Sequence, residues 1–209
     1  LGKFFQKNNI DTTITTDKRG YDFLKHYKDI KIEIIDTDTI FKKNLLIKII
    51  SFLKICYAIL YSIFFIIKQK PKVIFGMGGY SSFPICIAAT ILKIPFILYE
   101  NNLYLGKANR YLLPYAKLLF CSYSEIDGVN EKYKDKIFKT GNILRDEIIN
   151  YENITDNKNN FKDELNILIL GGSQAAKFFA EKLPEIFQKL KDDGCNIMIY
   201  QQCMPQQEK

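Results

Sequence analysis

Short apolar runs alternate along the chain with longer stretches whose apolar residues recur at helical spacing. The runs at 11–16, 31–35, 73–75, 96–99, 118–122, 137–140, 166–170 and 196–200 predict strands. The intervening stretches 18–28, 42–69, 82–93, 106–114 and 174–192 predict helices, and 1–9 reads as the end of another. Alternation of this kind builds parallel βαβ units, so the expected class is α/β with doubly wound sheets. Residues 151–163 (YENITDNKNNFKD) interrupt the rhythm: they are polar, rich in asparagine and without period, which predicts a linker. The expected organisation is therefore a Rossmann-like domain over 1–150, a linker over 151–163, and the start of a second such domain over 164–209.

Residues 45–67 (LLIKIISFLKICYAILYSIFFII) stand apart, because 19 of these 23 positions are apolar. A stretch of that length could span a bilayer. Against this, Asn44, Lys48, Ser51, Lys54, Ala58 and Ser62 recur at steps of three or four. They would form a polar or small stripe along one helical face, and lysines in mid-span are costly in lipid. The reading adopted is a long crossover helix packed on the sheet, greasy enough to help the domain rest on a membrane surface.

Charge sharpens that picture. The whole chain carries +7 at neutral pH. Residues 1–150 hold 23 Lys and Arg against 14 Asp and Glu, a net of +9, and 151–209 hold 7 against 9, a net of −2. The first part would suit an anionic partner such as a phospholipid surface or a diphosphate, although a general bias towards Lys, Ile and Asn would produce the same excess. With 47% hydrophobic residues the chain can bury a core. Its five cysteines are widely spaced, with neither a CxxC pair nor a Cys/His cluster, so reduced thiols are expected and no zinc site.

The candidate chemistry lies in four loops. Gly76-Met77-Gly78-Gly79-Tyr80-Ser81-Ser82 follows one predicted strand and precedes a helix, and Gly171-Gly172-Ser173-Gln174 repeats the arrangement late in the chain. Glycines there admit close approach to a ligand, and a helix start offers free N–H groups to an anion. A tight turn with no ligand is the alternative for each. Neither turn matches GxxxxGK[ST], and neither is a full GxGxxG with an acid about 20 residues on, so a P-loop or dinucleotide site is not indicated. Tyr99-Glu100-Asn101-Asn102 closes a predicted strand, where open α/β sheets place ligands. Thr140-Gly141-Asn142-Ile143-Leu144-Arg145 ends the first domain, and its arginine could clamp a phosphate or simply form a surface ion pair.

Taken in order, PKVIFGMGGYSSFPICIAATILKIPFILYENN, GKANRYLL, KTGNILRDEI and LNILILGGSQAAKFF closely resemble the MurG family of glycosyltransferases over essentially residues 1 to 202. The resemblance implies a GT-B-type fold of two Rossmann-like domains, the first lacking its first strand and the second truncated. It implies inverting transfer of N-acetylglucosamine from UDP-N-acetylglucosamine to undecaprenyl-diphospho-muramoyl-pentapeptide (lipid I), in peptidoglycan synthesis at the cytoplasmic face of the inner membrane. It further implies that Gly78, Gly79 and Tyr80 border the acceptor diphosphate. Asn102, Arg145, Gly171, Gly172, Ser173 and Gln174 would contact the donor, with Glu100 as the motif's acid and the candidate catalytic group. No cofactor, metal or nucleic-acid partner is expected.

The chain departs from the family pattern in three of these loops. Tyr99 stands where the family has histidine in HEQN, Ile143 replaces the proline of GNPVR, and Ala175 replaces a glycine of GGSQGA. The family's GGTGGH loop would lie before Leu1, and its later uracil and sugar contacts beyond residue 209. A chain of these 209 residues alone is therefore expected to be inactive and poorly stable, with a gap in its first sheet. The lone histidine, His26, is expected on the solvent side of a helix. Two other readings fit the same residues: a transferase acting on diacylglycerol, and a nucleotide-sugar-binding or membrane-docking protein without catalysis.

Overall fold

The computed structural model describes residues 1–39, 44–144, 146–149, 165–171 and 177–203. The chain divides into two compact units, Leu1–Asp146 and Glu147–Lys209.

The first unit runs α1 (Gly2–Lys7), β1 (Thr13–Thr16), α2 (Lys18–Leu24), β2 (Lys31–Ile34), α3 (Leu45–Gln69), β3 (Ile74–Gly76), α4 (Phe83–Ile91), β4 (Phe96–Glu100), α5 (Lys107–Leu112) and β5 (Leu118–Cys121). A 3₁₀ turn at Glu131–Lys136, which the apolar pattern does not signal, leads into β6 (Ile137–Lys139). A short helix, α6 (Asp146–Ile149), lies at the boundary of the units. All eight predicted strands are present, displaced by no more than two residues at either end. The second predicted helix is cut short, because α2 stops at Leu24. His26 accordingly sits, exposed, in the turn that follows rather than on the helix.

All pairing is parallel, as the βαβ rhythm requires. β3, β4, β5 and β6 form one sheet in that order, and β1 and β2 form another. The edges of β1 and β3 line an open cleft of about 500 Å³ that runs past Thr13–Thr16 on one side and Val73–Phe75 on the other.

The core lies on one face of the four-stranded sheet. Phe96 and Leu98 of β4 and Leu119 and Cys121 of β5 are buried against Ile85, Cys86, Ala88 and Ala89 of α4 and Leu112 of α5. Burial pushes the Cys86 thiol up to about 12. The opposite face carries a row of aromatic rings. Phe75 lies 6.3 Å from Tyr99 and 6.0 Å from Phe120, which lies 5.7 Å from Phe138.

α3 is 25 residues long and, by length and composition, apolar enough to cross a membrane. Its buried residues are Ser51, Ala58, Ser62 and Ile66, spaced at seven and four, so the small-residue stripe faces inward. Its main helical partner is α4. Small side chains let two helices approach closely, and the Ser62 hydroxyl satisfies itself on the Ala58 carbonyl at 2.7 Å. Asn44, Lys48 and Lys54, expected on the same stripe, are exposed instead. The Asn44 side chain accepts the Leu46 N–H and so caps the start of the helix. Two further ties hold α3, from Ser51 to Asp38 at 2.9 Å and from Tyr61 to the Glu33 carboxylate on β2.

The second unit contains β7 (Leu165–Ile169), α7 (Lys177–Asp192) and β8 (Ile197–Gln201), with β7 and β8 paired in parallel. The predicted linker 151–163 lies outside the described residues.

Candidate functional site

The predicted acceptor turn is built by two glycines in the left-handed region. Gly78 has φ +75° and Gly79 φ +73°, values that a residue with a Cβ adopts only at a cost. At Gly78 the space is also tight, since a Cβ would stand 3.2 Å from the Asn109 Nδ2 and 3.5 Å from the Tyr99 carbonyl oxygen. At Gly79 nothing lies within 4 Å, so the turn's outer side is open. Ser82, the residue before α4, does not cap the helix. Its hydroxyl reaches back to the carbonyls of Gly78 at 2.9 Å and Gly79 at 3.1 Å, which stiffens the turn. The Ser82 side chain thus gives no bond to the start of α4, where the Phe83 N–H donates to the Tyr80 carbonyl at 3.3 Å and Pro84 has no N–H to offer.

Glu100, at the carboxyl end of β4, is buried to 5% exposure. One carboxylate oxygen accepts the Asn102 backbone N–H at 3.2 Å and its side-chain N–H at 2.7 Å. The other accepts Gly106 N–H at 2.9 Å and Asn109 Nδ2 at 3.0 Å. Four N–H donors thus converge on one buried carboxylate, and its ligands span the loop from Asn102 to the start of α5. Asn109 is the joint between the two motifs. Its amide also donates to the Tyr99 carbonyl at 3.0 Å while lying against Gly78, and its Oδ1 is buried with no partner.

Tyr99, in the position where a histidine is usual, projects to the other face. Its hydroxyl meets the Ser122 hydroxyl at 3.0 Å, donates to the Gly141 carbonyl at 3.3 Å and accepts the Ile143 N–H at 3.1 Å. That phenol gathers the ends of β4 and β5 and the GNILR loop, the loop in which Ile143 takes the place of proline.

Of the residues singled out in the sequence, Gly78, Gly79, Tyr80, Glu100 and Asn102 come together in the first unit. Gly171 lies at the end of β7 in the second, where its N–H donates to the Gln202 side chain at 3.3 Å. Arg145, Gly172, Ser173 and Gln174 lie outside the described residues. Sequence reasoning does not find Asn109 and Gly106 as structural partners of Glu100. Both sit within GKANRYLL, but no spacing rule connects them to a carboxylate on a strand. Among the described residues no three His, Cys, Asp or Glu side chains cluster in a way that could hold a metal.

The model of the glycosyltransferase family 28 N-terminal domain matches residues 1–121. A relative from Pelagibacter ubique, named UDP-N-acetylglucosamine–N-acetylmuramyl-(pentapeptide) pyrophosphoryl-undecaprenol N-acetylglucosamine transferase, is 34% identical over 196 residues, covering 94% of this chain and 53% of its own. A protein of the same name from Rickettsia felis is 32% identical, covering 95% of this chain and 55% of its own. The chain thus spans about half the length of these relatives. Among solved structures, Acinetobacter baumannii MurG superposes with a TM-score of 0.66 at 26% identity over 99% of this chain and 56% of that one. The UDP-GlcNAc 2-epimerase of Methanocaldococcus jannaschii, at 16% identity and a TM-score of 0.56, shares the fold.

Proposed function

This chain belongs to glycosyltransferase family 28, and from that premise we propose that the protein carrying it moves N-acetylglucosamine from UDP-N-acetylglucosamine to a muramoyl-pentapeptide on undecaprenyl diphosphate. The observation that carries the reading is the junction of motifs in the first unit: an open glycine turn ahead of α4, locked through Asn109 to the Glu100 loop. The names of the relatives supply the substrates.

In this reading the acceptor diphosphate lies on Gly78, Gly79 and Tyr80, against the open outer side of the glycine turn ahead of α4. The muramoyl hydroxyl attacks the anomeric carbon of the donor sugar with inversion, and UDP leaves. Asn102, Arg145, Ser173, Gln174 and the glycines 171 and 172 hold the donor, and N–H groups stabilise the departing diphosphate. Glu100 serves as the brace that orients Asn102 and not as the base, since both of its oxygens are already engaged. The domain rests on the anionic cytoplasmic surface of the inner membrane as a peripheral protein. The exposed apolar side of α3 and the positive first part of the chain support this.

The test is UDP release by the protein carrying this chain, given UDP-N-acetylglucosamine with either the lipid-linked muramyl-pentapeptide or diacylglycerol. Release with the first is expected. Release with diacylglycerol alone would overturn the assignment in favour of another lipid glycosyltransferase, and binding of UDP-N-acetylglucosamine without release under either condition would favour a non-catalytic role.

A further inference from the structure

Beside the glycine turn lies a second, smaller cleft of about 250 Å³ between α3, α4 and α5. Phe52, Ile55, Cys56 and Ile59 line it from α3, at the i, i+3, i+4, i+7 spacing of a single helical face. Phe83 and Tyr111 close it from α4 and α5. Tyr80 of the turn and Lys107 at the start of α5 also border it, so the turn and the cleft share a residue. Asp38, on the same border, accepts the Ser51 hydroxyl.

We propose that this cleft receives the first stretch of the hydrocarbon chain of the lipid-linked acceptor. The inference rests on the reading of the turn as the diphosphate site. Three features point to a chain continuing from that site. The lining is nearly all hydrocarbon, where a polar ligand would lose water without gaining hydrogen bonds but an alkyl or isoprenoid chain gains by leaving water. The volume falls below the roughly 300–1,000 Å³ that encloses a whole drug-sized ligand, so the cleft fits part of a chain whose remainder lies outside. The rim is open, with Phe52 and Tyr111 both more than half exposed, and Tyr80 joins it to the turn. An anionic head at Tyr80 with a Lys107 ammonium nearby, and an apolar tail running along α3, matches one prenyl diphosphate.

These 209 residues hold no tryptophan, so in the protein carrying this chain Tyr111→Trp places a new indole at the rim, read as the difference from the unsubstituted protein. Titration with farnesyl diphosphate, below the concentration at which it aggregates, should give a saturable blue shift that inorganic diphosphate does not produce. Cys56→Phe, which fills the cleft, should weaken that binding roughly tenfold, the loss expected for about two buried methylenes. Asp22→Asn, exposed on α2 and away from the cleft, should leave it unchanged. Ile55→Ala, which removes lining instead of adding bulk, should weaken binding too and guards against misfolding in the first variant. An equal response to inorganic diphosphate, or affinity indifferent to both cleft variants, would overturn the proposal. So would a shift with phosphatidylglycerol vesicles that farnesyl diphosphate cannot displace, since the cleft would then serve membrane acyl chains. The readout is binding, so intact prenyl binding without sugar transfer would leave this inference standing and sink the catalytic reading alone.

Discussion

The Tyr99 hydroxyl joins three groups distant in the chain, on Ser122, Gly141 and Ile143. Removing it by Tyr99→Phe keeps the ring, and hence its stacking on Phe75, while leaving the Ile143 N–H without its acceptor. The expected cost is about 1–2 kcal/mol of stability, with faster hydrogen exchange at the Ile143 amide than at the β4 amides. Unchanged exchange at Ile143 would mean that the loop is held by something other than the phenol. The paired glycines allow a cleaner separation of causes. Gly79→Ala meets only the backbone cost of a positive φ, about 1–2 kcal/mol, because no atom lies near its Cβ. Gly78→Ala meets that cost and also crowds the Asn109 amide that holds Glu100. Thermal denaturation should therefore rank Gly78→Ala below Gly79→Ala, and the reverse order would contradict the described junction.

Among the elements, α3 shows how an almost wholly apolar helix chooses its inner face. Burial by hydrophobicity alone cannot decide when nearly every position is greasy. The choice falls to volume: Ser51, Ala58 and Ser62 face inward with Ile66, and the other bulky residues are left wholly or partly outside. Leu53 and Leu60, 61% and 66% exposed, lie on that outer side one heptad apart. Replacing both with aspartate should lower binding to phosphatidylglycerol vesicles at least about tenfold, since each leucine contributes about 2 kcal/mol when fully buried in apolar surroundings. Sedimentation with vesicles reads the effect, and retained binding would remove α3 from the membrane contact.

For the whole molecule, the interruption between β1 and β3 has a measurable consequence. Thr16 accepts from Ile35 and Ile74 donates to Pro95, so by the alternation of a parallel ladder Thr15 and Phe75 turn their N–H groups toward the cleft. In a chain limited to these 209 residues those two amides should exchange with solvent well before the amides of β4 and β5, which have strand partners on both sides. Equal protection across all four strands would show that the cleft is filled in solution. The expectation of a gap in the first sheet comes from the central position of the first strand in doubly wound folds, and the two separate sheets of the first unit have that form.

Local pattern was enough for the strands, for the α/β class and for the glycine turn ahead of α4, because each depends on residues within a few positions of one another. The left-handed backbone at Gly78 and Gly79 is of the same kind, a property of missing side chains. The end of α2, the inward face of α3 and the role of Glu100 were not legible in this way. By its motif Glu100 reads as an acid with chemistry to perform, but it is surrounded by donors from Asn102, Gly106 and Asn109. Only packing brings a strand end, a loop and a helix start to one carboxylate. Likewise α3 carries no hydrophobic signal strong enough to orient it, and side-chain volume decides. Short-range preference determined what the segments are; the need to exclude voids and to satisfy buried polar groups determined which residues meet.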